Sequence, residues 1–225
     1  MALGHDDIAR MTTPLWEQAK QAIDAGDTAK GTQLIDAAAA RWRGLQEYSI
    51  NWVTSLLSFI GRELGEGAVE DALRRFGDEF VQARREVGEW DALPAEQRAR
   101  VIAGAMVANF GSCDVEEDDE KITLSFRCGT GGRLIDEGRY GTEGYLVLRE
   151  PGGRTFQREE LPVYCAHCSI NNEIQPVERG RTPTTVEEPP RAPGEPCVHH
   201  VYRDPSRLPD DVYLRIGKQP PDRPT

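Results

Sequence analysis

Histidine, lysine and long apolar runs are all scarce in this sequence, and each shortage bears on a class of function. Four of the 225 residues are His, too few for several familiar metal centres. No stretch approaches the roughly 18 apolar residues of a membrane span. The opening Met1-Ala2-Leu3-Gly4-His5-Asp6-Asp7 has neither the basic start nor the apolar run of a secretory signal. The chain therefore reads as cytoplasmic, where thiols stay reduced. Only four of its 27 basic residues are Lys, a bias that fits a GC-rich bacterial genome. A formal charge of -11 speaks against nucleic acid, whose binders neutralise phosphates with basic residues, and against anionic membrane surfaces.

Absent motifs narrow the chemistry further. There is no His-Glu-x-x-His, no Gly-x-Ser-x-Gly elbow and no radical-SAM cysteine triplet. The run Cys128-Gly129-Thr130-Gly131-Gly132-Arg133 matches neither a P-loop nor a dinucleotide fingerprint and reads as a hairpin turn. The acidic stretch Glu116 to Glu120 lacks the spacing and obligatory Gly of a calcium loop and reads as a solvated turn.

What is present divides into two regions. Residues 12–112 carry helical periodicity. Thr13 and Pro14 open a first helix that stops near Gly26, and Asp27 starts the next. Ile35, Ala38, Trp42, Leu45, Trp52, Leu56 and Phe59 recur mostly three or four apart, which predicts one buried helix face. Val69, Leu73, Phe76 and Phe80 mark a third helix, and Pro94 opens a fourth that Gly111 and Ser112 end. Residues 113–225 are β-rich. Ile122, Leu124 and Phe126 alternate with polar neighbours as in a half-buried strand. Short strands are expected over 144–149 and 161–164, and the Pro-dense stretch 182–196 fits neither a helix nor a central strand. The fold class is α+β: an N-terminal helical bundle packed against a small antiparallel sheet, with a metal-tied, Pro-rich C-terminal arm. No polar linker separates the two regions, so one integrated domain is an equal reading.

All five cysteines fall in the second region, Cys113 at its first position. Cys165-Ala166-His167-Cys168 is the only tight metal-type spacing, while Cys128 and Cys197 flank it at a distance, each beside Gly129 or Pro196. Thiolate sulfur and imidazole nitrogen suit tetrahedral Zn2+, so Cys128, Cys165, Cys168 and Cys197 are the candidate ligands; iron suits the same donors. The plain alternative is that these thiols are small buried apolar side chains. His167, His199 or His200 is able to replace a cysteine, and in an extended segment only one of the adjacent pair His199 and His200 points inward. Cys113 stands apart and has no base assigned to it.

A closed four-sulfur site holds a fold together, whereas an open position acidifies a bound water for hydrolysis. The catalytic candidates are His167, inside the metal turn, and Glu173, the nearest glutamate along the chain. Two readings follow: a zinc-containing cytoplasmic hydrolase or lyase of small-molecule metabolism, with its pocket between helices and sheet, or a non-catalytic ligand-sensing or partner-binding module with a structural four-cysteine zinc. The expected partner is a small-molecule ligand or substrate; the sequence says nothing about oligomeric state.

Overall fold

The computed structural model describes residues 4, 11–83 and 90–221, so most of the opening segment used above to argue against a secretory signal lies outside it. The chain mixes helix with small antiparallel sheets, and forms two compact units, Met1–Ser49 and Ile50–Thr225. Among the described residues no helix is long and apolar enough to cross a membrane.

Local signals place the helices. Helix α1 (Leu15–Asp24) follows Pro14 and carries Glu17 in its first turn, where a carboxylate complements the exposed backbone N–H groups. Helix α2 (Thr28–Leu64) begins where the Asp27 carboxylate accepts from Lys30 N at 3.0 Å, an ordinary N-cap. Gly65, at φ +90°, separates it from α3 (Glu66–Phe76). The π-helical stretch Gly77–Gln82 continues α3, and α4 spans Ala95–Ala108 after Pro94.

The second unit is built on a four-stranded sheet of order β1-β2-β6-β5, antiparallel throughout. Strand β1 is Ser112–Glu117 and β2 is Lys121–Arg127. After them come the short helices α5 (Gly131–Asp136) and α6 (Arg139–Thr142), and a small pair, β3 (Val147–Leu148) and β4 (Leu161–Pro162). A helical run over 166–178 joins α7 (Ala166–Cys168), a second π-helical stretch Ser169–Ile174, and α8 (Gln175–Glu178). Strand β5 (Val186–Glu188), strand β6 (Cys197–Tyr202) and helix α9 (Asp210–Leu214) complete the chain.

Ile122, Leu124 and Phe126 of β2 are buried as their alternation predicts, with Cys197, His199 and Val201 of β6 also turned inward. Helix α4 packs on this sheet through Ala95, Ala99, Ile102 and Met106. Full burial of a side chain the size of Phe126 stabilises by about 1.5–3 kcal/mol. A second cluster joins Leu57, Val69, Leu73, Leu161, Ile170 and Ile216, so the chain just after α9 packs onto the core of this unit.

Several expectations need correction. Ile35, Trp42, Leu45, Trp52, Leu56 and Phe59 are exposed, not buried. Past residue 50 the inward face of α2 is instead Ile50, Thr54, Leu57 and Ser58. Its hydroxyls are satisfied locally: Thr54 Oγ1 donates to Ile50 O at 2.6 Å, and Ser58 Oγ donates to Thr54 O at 2.7 Å while accepting from Leu146 N at 2.9 Å. Periodicity identifies a face of a helix but not the side on which it is covered. Phe76 and Phe80 are likewise exposed. The glycine-rich run after Cys128 opens α5 rather than turning a hairpin. The acidic run from Glu116 begins on β1, which pairs with β2 through Glu117, while its residues Asp118 to Glu120 do form the exposed turn expected. Most consequential, Cys197 starts β6, which lies between β2 and β5.

Candidate metal centre and adjoining pocket

Cys165 closes the single turn Val163–Cys165, and Cys168 ends α7. Their i, i+3 spacing on helical backbone puts both thiols on one side. Cys128 leaves the end of β2, and Cys197 pairs with Phe126 across β2 and β6. The glycines of α5 make the approach feasible. A Cβ on Gly131 would stand 3.2 Å from the Cys165 sulfur, and one on Gly132 would stand 2.8 Å from the Cys128 Cβ.

Cys165, Cys168 and Cys197 each sense other thiols. Burial, with the charge of Cys128 adding to it, pushes Cys165 up to about 12. Cys168 is pushed well above its ordinary value by burial, by Glu187, and by Cys197 and Cys165. Cys197 rises for the same reasons, with Glu187, Cys128 and Cys165 as its neighbours. One positive charge acts the other way on Cys165 and Cys197, the Arg158 guanidinium. Arg158 is half-buried, its own charge is disfavoured by burial and by Arg191, and it follows Phe156 and Gln157, both in the left-handed region.

Two imidazoles point their Nε2 atoms at this cluster. His167 Nδ1 lies 2.6 Å from Tyr164 O; a carbonyl oxygen only accepts, so Nδ1 carries a proton, and in the neutral tautomer Nε2 is the nitrogen left to accept or ligate. That Nε2 is 3.6 Å from the Cys168 sulfur. His199 Nε2 is 3.4 Å from the Cys197 sulfur, and its Nδ1 is 3.3 Å from Glu187 Oε1. Burial holds His199 below its ordinary value despite Glu187, with His167 close enough to add to the effect. The ring is therefore neutral at pH 7. A neutral imidazole with one nitrogen backed by a carboxylate or carbonyl and the other facing sulfur is the arrangement seen around metal-binding histidines.

The side chains as placed do not already enclose an ion: among the described residues no three His, Cys, Asp or Glu stand in position to hold one. The donor chemistry nevertheless suits a thiophilic ion. Burial favours the neutral thiols of Cys165, Cys168 and Cys197, and an ion would replace their protons.

Beside the cluster lies a cavity of about 370 Å³ under α4. Phe80, Trp90, Ile102 and Met106 are among its apolar walls, while Asn172, Thr184, Thr185, Glu187 and His199 supply its polar side. Asn172 Nδ2 donates to Glu187 Oε1 at 2.6 Å. The two π-helical stretches build this corner: Gln82 Nε2 donates to Asn171 O at 2.7 Å, and Gln175 Nε2 donates to Asp78 Oδ1 at 2.6 Å. Such stretches occur often at functional sites.

The structure thus sets Cys128, Cys165, Cys168 and Cys197 within electrostatic reach of one another, with His167 beside Cys168 and His199 beside Cys197. His200, on the opposite face of β6, is 3.0 Å from Thr123 Oγ1 through Nδ1. Cys113 is on β1, its thiol raised by burial and Asp114. Glu173 does not line the cavity. It is fully buried and accepts from Arg215 Nη2 at 2.6 Å and from Glu187 N at 2.7 Å. Glu187, Asn172 and Arg158 are the residues sequence reasoning missed; Glu187 meets His199 only because β5 pairs with β6 in the register Glu187 to His199. Comparisons with models of known families, with curated proteins and with solved structures find no match to this chain, so the reading of the site rests on its own geometry.

Proposed function

We propose that the chain is a zinc-dependent enzyme that hydrolyses, or eliminates from, a small molecule with an apolar body. The body sits in the cavity under α4 and the polar end faces Glu187 and His199. Three residues of the set Cys128, Cys165, Cys168 and Cys197, with His199 or His167 able to take one of the three places, would hold the ion and leave its fourth position to water. When bound, zinc supplies Lewis acidity and lowers the pKa of a coordinated water.

The observation that carries this reading is that His199 belongs to both places: it lines the cavity, and its Nε2 faces the Cys197 sulfur. Glu187 is the proton acceptor of this proposal, since it lines the cavity with one oxygen fixed by Asn172. The second reading, a closed four-cysteine zinc in a non-catalytic binding module, is favoured by one fact: among the described residues no cysteine lines the cavity.

Replacement of zinc by Co2+ tests both. Its visible spectrum distinguishes four sulfurs from a mixed sulfur and nitrogen shell, and a cavity ligand perturbs the spectrum only if the shell opens towards the cavity. Protein purified without chelator that carries only background metal sinks both readings. A four-sulfur spectrum indifferent to every small ester, amide and carboxylate tried leaves the module.

A further inference from the structure

Two clefts of the second unit meet at a pair of arginines. They measure about 710 and 440 Å³ and share Phe156, Arg158, Pro190 and Arg191. Neither has a lining residue in common with the cavity under α4. Strained backbone places Arg158. Phe156 and Gln157 precede it at φ +54° and +61°, where an L side chain crowds its own carbonyl. Such a conformation persists only where the surroundings over-determine it, and it clusters at ligand clamps and active sites. Here Phe156 N donates to Gly153 O, Gln157 N to Gly152 O and Arg158 N to Thr155 O, at 3.1, 2.9 and 3.0 Å, and the Arg215 guanidinium lies 4.9 Å over the buried Phe156 ring. Arg191 is placed by a turn of its own: Glu195 Oε2 accepts from Arg191 N at 2.8 Å and from Ala192 N at 3.3 Å, and Gly194 N donates to Asp136 Oδ1 at 2.7 Å.

Neither guanidinium is matched by a carboxylate. Arg158 is half-buried, yet among the described residues neither its side chain nor that of Arg191 makes a hydrogen bond or ion pair. The strongest influences on the Arg158 charge are burial, Arg191, Cys165, Arg215 and Cys197, with no carboxylate among them. Arg215 is already engaged, donating to Glu173 Oε1 and Glu187 O at 2.6 and 2.9 Å. Of the carboxylates that line the clefts, Glu195 holds its turn, Glu160 pairs with Arg149, and Glu188 stands 3.5 Å from His200 Nε2; Glu159 is exposed. Two neighbouring positive charges are thus held, with their donors open, on a chain whose net charge is -11.

We infer that Arg158 and Arg191 bind the phosphate group of a small phosphorylated molecule whose body lies in the larger cleft, against Tyr140 and Val147. Charge selects phosphate over carboxylate. A carboxylate offsets one guanidinium, whereas a phosphate monoester carries about -1.5 to -2 at pH 7 and three acceptor oxygens, enough to take paired N–H bonds from both. The larger cleft has the size of an ordinary small-molecule site, and Ile135 and Pro162 add to its apolar wall. This site is separate from the proposed metal chemistry and stands whether or not an ion is bound.

The experiment is equilibrium dialysis of the full-length protein, purified without chelator, against labelled inorganic phosphate at low ionic strength, with phenyl phosphate and acetate as competitors. The expected result is saturable uptake of one phosphate per chain, with a dissociation constant at or below about 1 mM. Phenyl phosphate should displace the label at lower concentration than unlabelled phosphate, and acetate should fail to displace it at about tenfold excess over phosphate. Arg191→Ala should weaken uptake at least about tenfold, the loss expected for a hydrogen-bonded charge, while metal content and circular dichroism stay constant. Arg75→Ala, which removes an exposed arginine paired with Glu79, should change nothing. The inference is overturned by an absence of saturable uptake up to about 10 mM. Full uptake by Arg191→Ala overturns it as well, since phosphate would then sit elsewhere, as on an open metal ion. Acetate that competes as well as phosphate, or phenyl phosphate that competes less well, overturns the ligand class.

Discussion

His199 Nε2 lies 3.4 Å from the sulfur of Cys197, two positions earlier on the same inward face of β6. The contact follows from strand geometry, because residues i and i+2 share a face. It also decides which of two adjacent histidines matters. His199 is 1 % exposed with Glu187 behind it, whereas His200 on the other face meets Thr123 and Glu188.

Alanine at these neighbours should therefore have unequal effects. His199→Ala leaves the buried Glu187 without its facing imidazole and should cost about 2–3 kcal/mol of unfolding free energy. His200→Ala should cost less than about 1 kcal/mol. Urea unfolding of the two variants measures the difference, and equal losses would remove the special status of His199.

Zinc should co-purify at one ion per chain, and Cys165→Ser or Cys168→Ser should each release it. These thiols sit on one short helical turn, so losing one leaves too few donors there for a tetrahedral shell. Cys113→Ser should retain the ion, since Cys113 lies on β1 and hydrogen-bonds Asp114 O at 3.4 Å. Elemental analysis decides it, and retention of zinc by both Ser variants would count against this donor set.

Local chemistry was legible in the sequence where one segment decides it. The alternation at Ile122, Leu124 and Phe126, the Asp27 cap and the opposite faces of His199 and His200 each need only a few neighbouring residues. The inward thiols of Cys165 and Cys168 belong to the same class. What could not be read depends on pairings far apart in the chain. Glu187 reaches His199 through the β5 and β6 register, and Glu173 meets Arg215, 42 positions on. The face of α2 was misjudged because Trp42, Trp52 and Phe59 look like core, while Thr54 and Ser58, whose hydroxyls return to the helix backbone, are the ones covered.

Arg158 should matter to the metal without touching it. It lowers the charging cost of Cys165 and Cys197, and a shell of several thiolates needs a nearby positive charge. Arg158→Ala should weaken zinc roughly 10- to 100-fold in chelator competition, the usual cost of removing a supporting partner, and Arg158→Lys should recover much of it. Unchanged affinity in the Ala variant would mean that solvent alone balances the thiolates.

His167→Ala should keep the ion while lowering turnover. The ring is held by Tyr164 O through Nδ1 and offers Nε2 towards Cys168, a position for orienting water or moving a proton. A loss of at least about 100-fold is expected for whichever ester or amide proves to be a substrate. Zinc content and circular dichroism should stay constant. Full activity in this variant would take His167 out of the mechanism and favour a structural zinc.

Glu173 supplies a pH test that stands apart from the metal. Burial pushes its carboxyl up to about 8, against the opposing pull of Arg215, with Glu187 adding to the rise. A folded value above the unfolded one near 4.5 means that the folded chain keeps a proton the unfolded chain has released. This contribution is complete below about pH 4.5 and is lost as pH climbs towards 8, at about 1.4 kcal/mol per pH unit for one proton. Glu173→Gln retains an oxygen to accept from Arg215 and Glu187 N but does not titrate. Between about pH 5 and 8 the stability of the unsubstituted protein should fall relative to that of the Gln variant, as read from urea midpoints at a series of pH values. Parallel curves over that window would show that Glu173 is ionised in the fold, held so by Arg215.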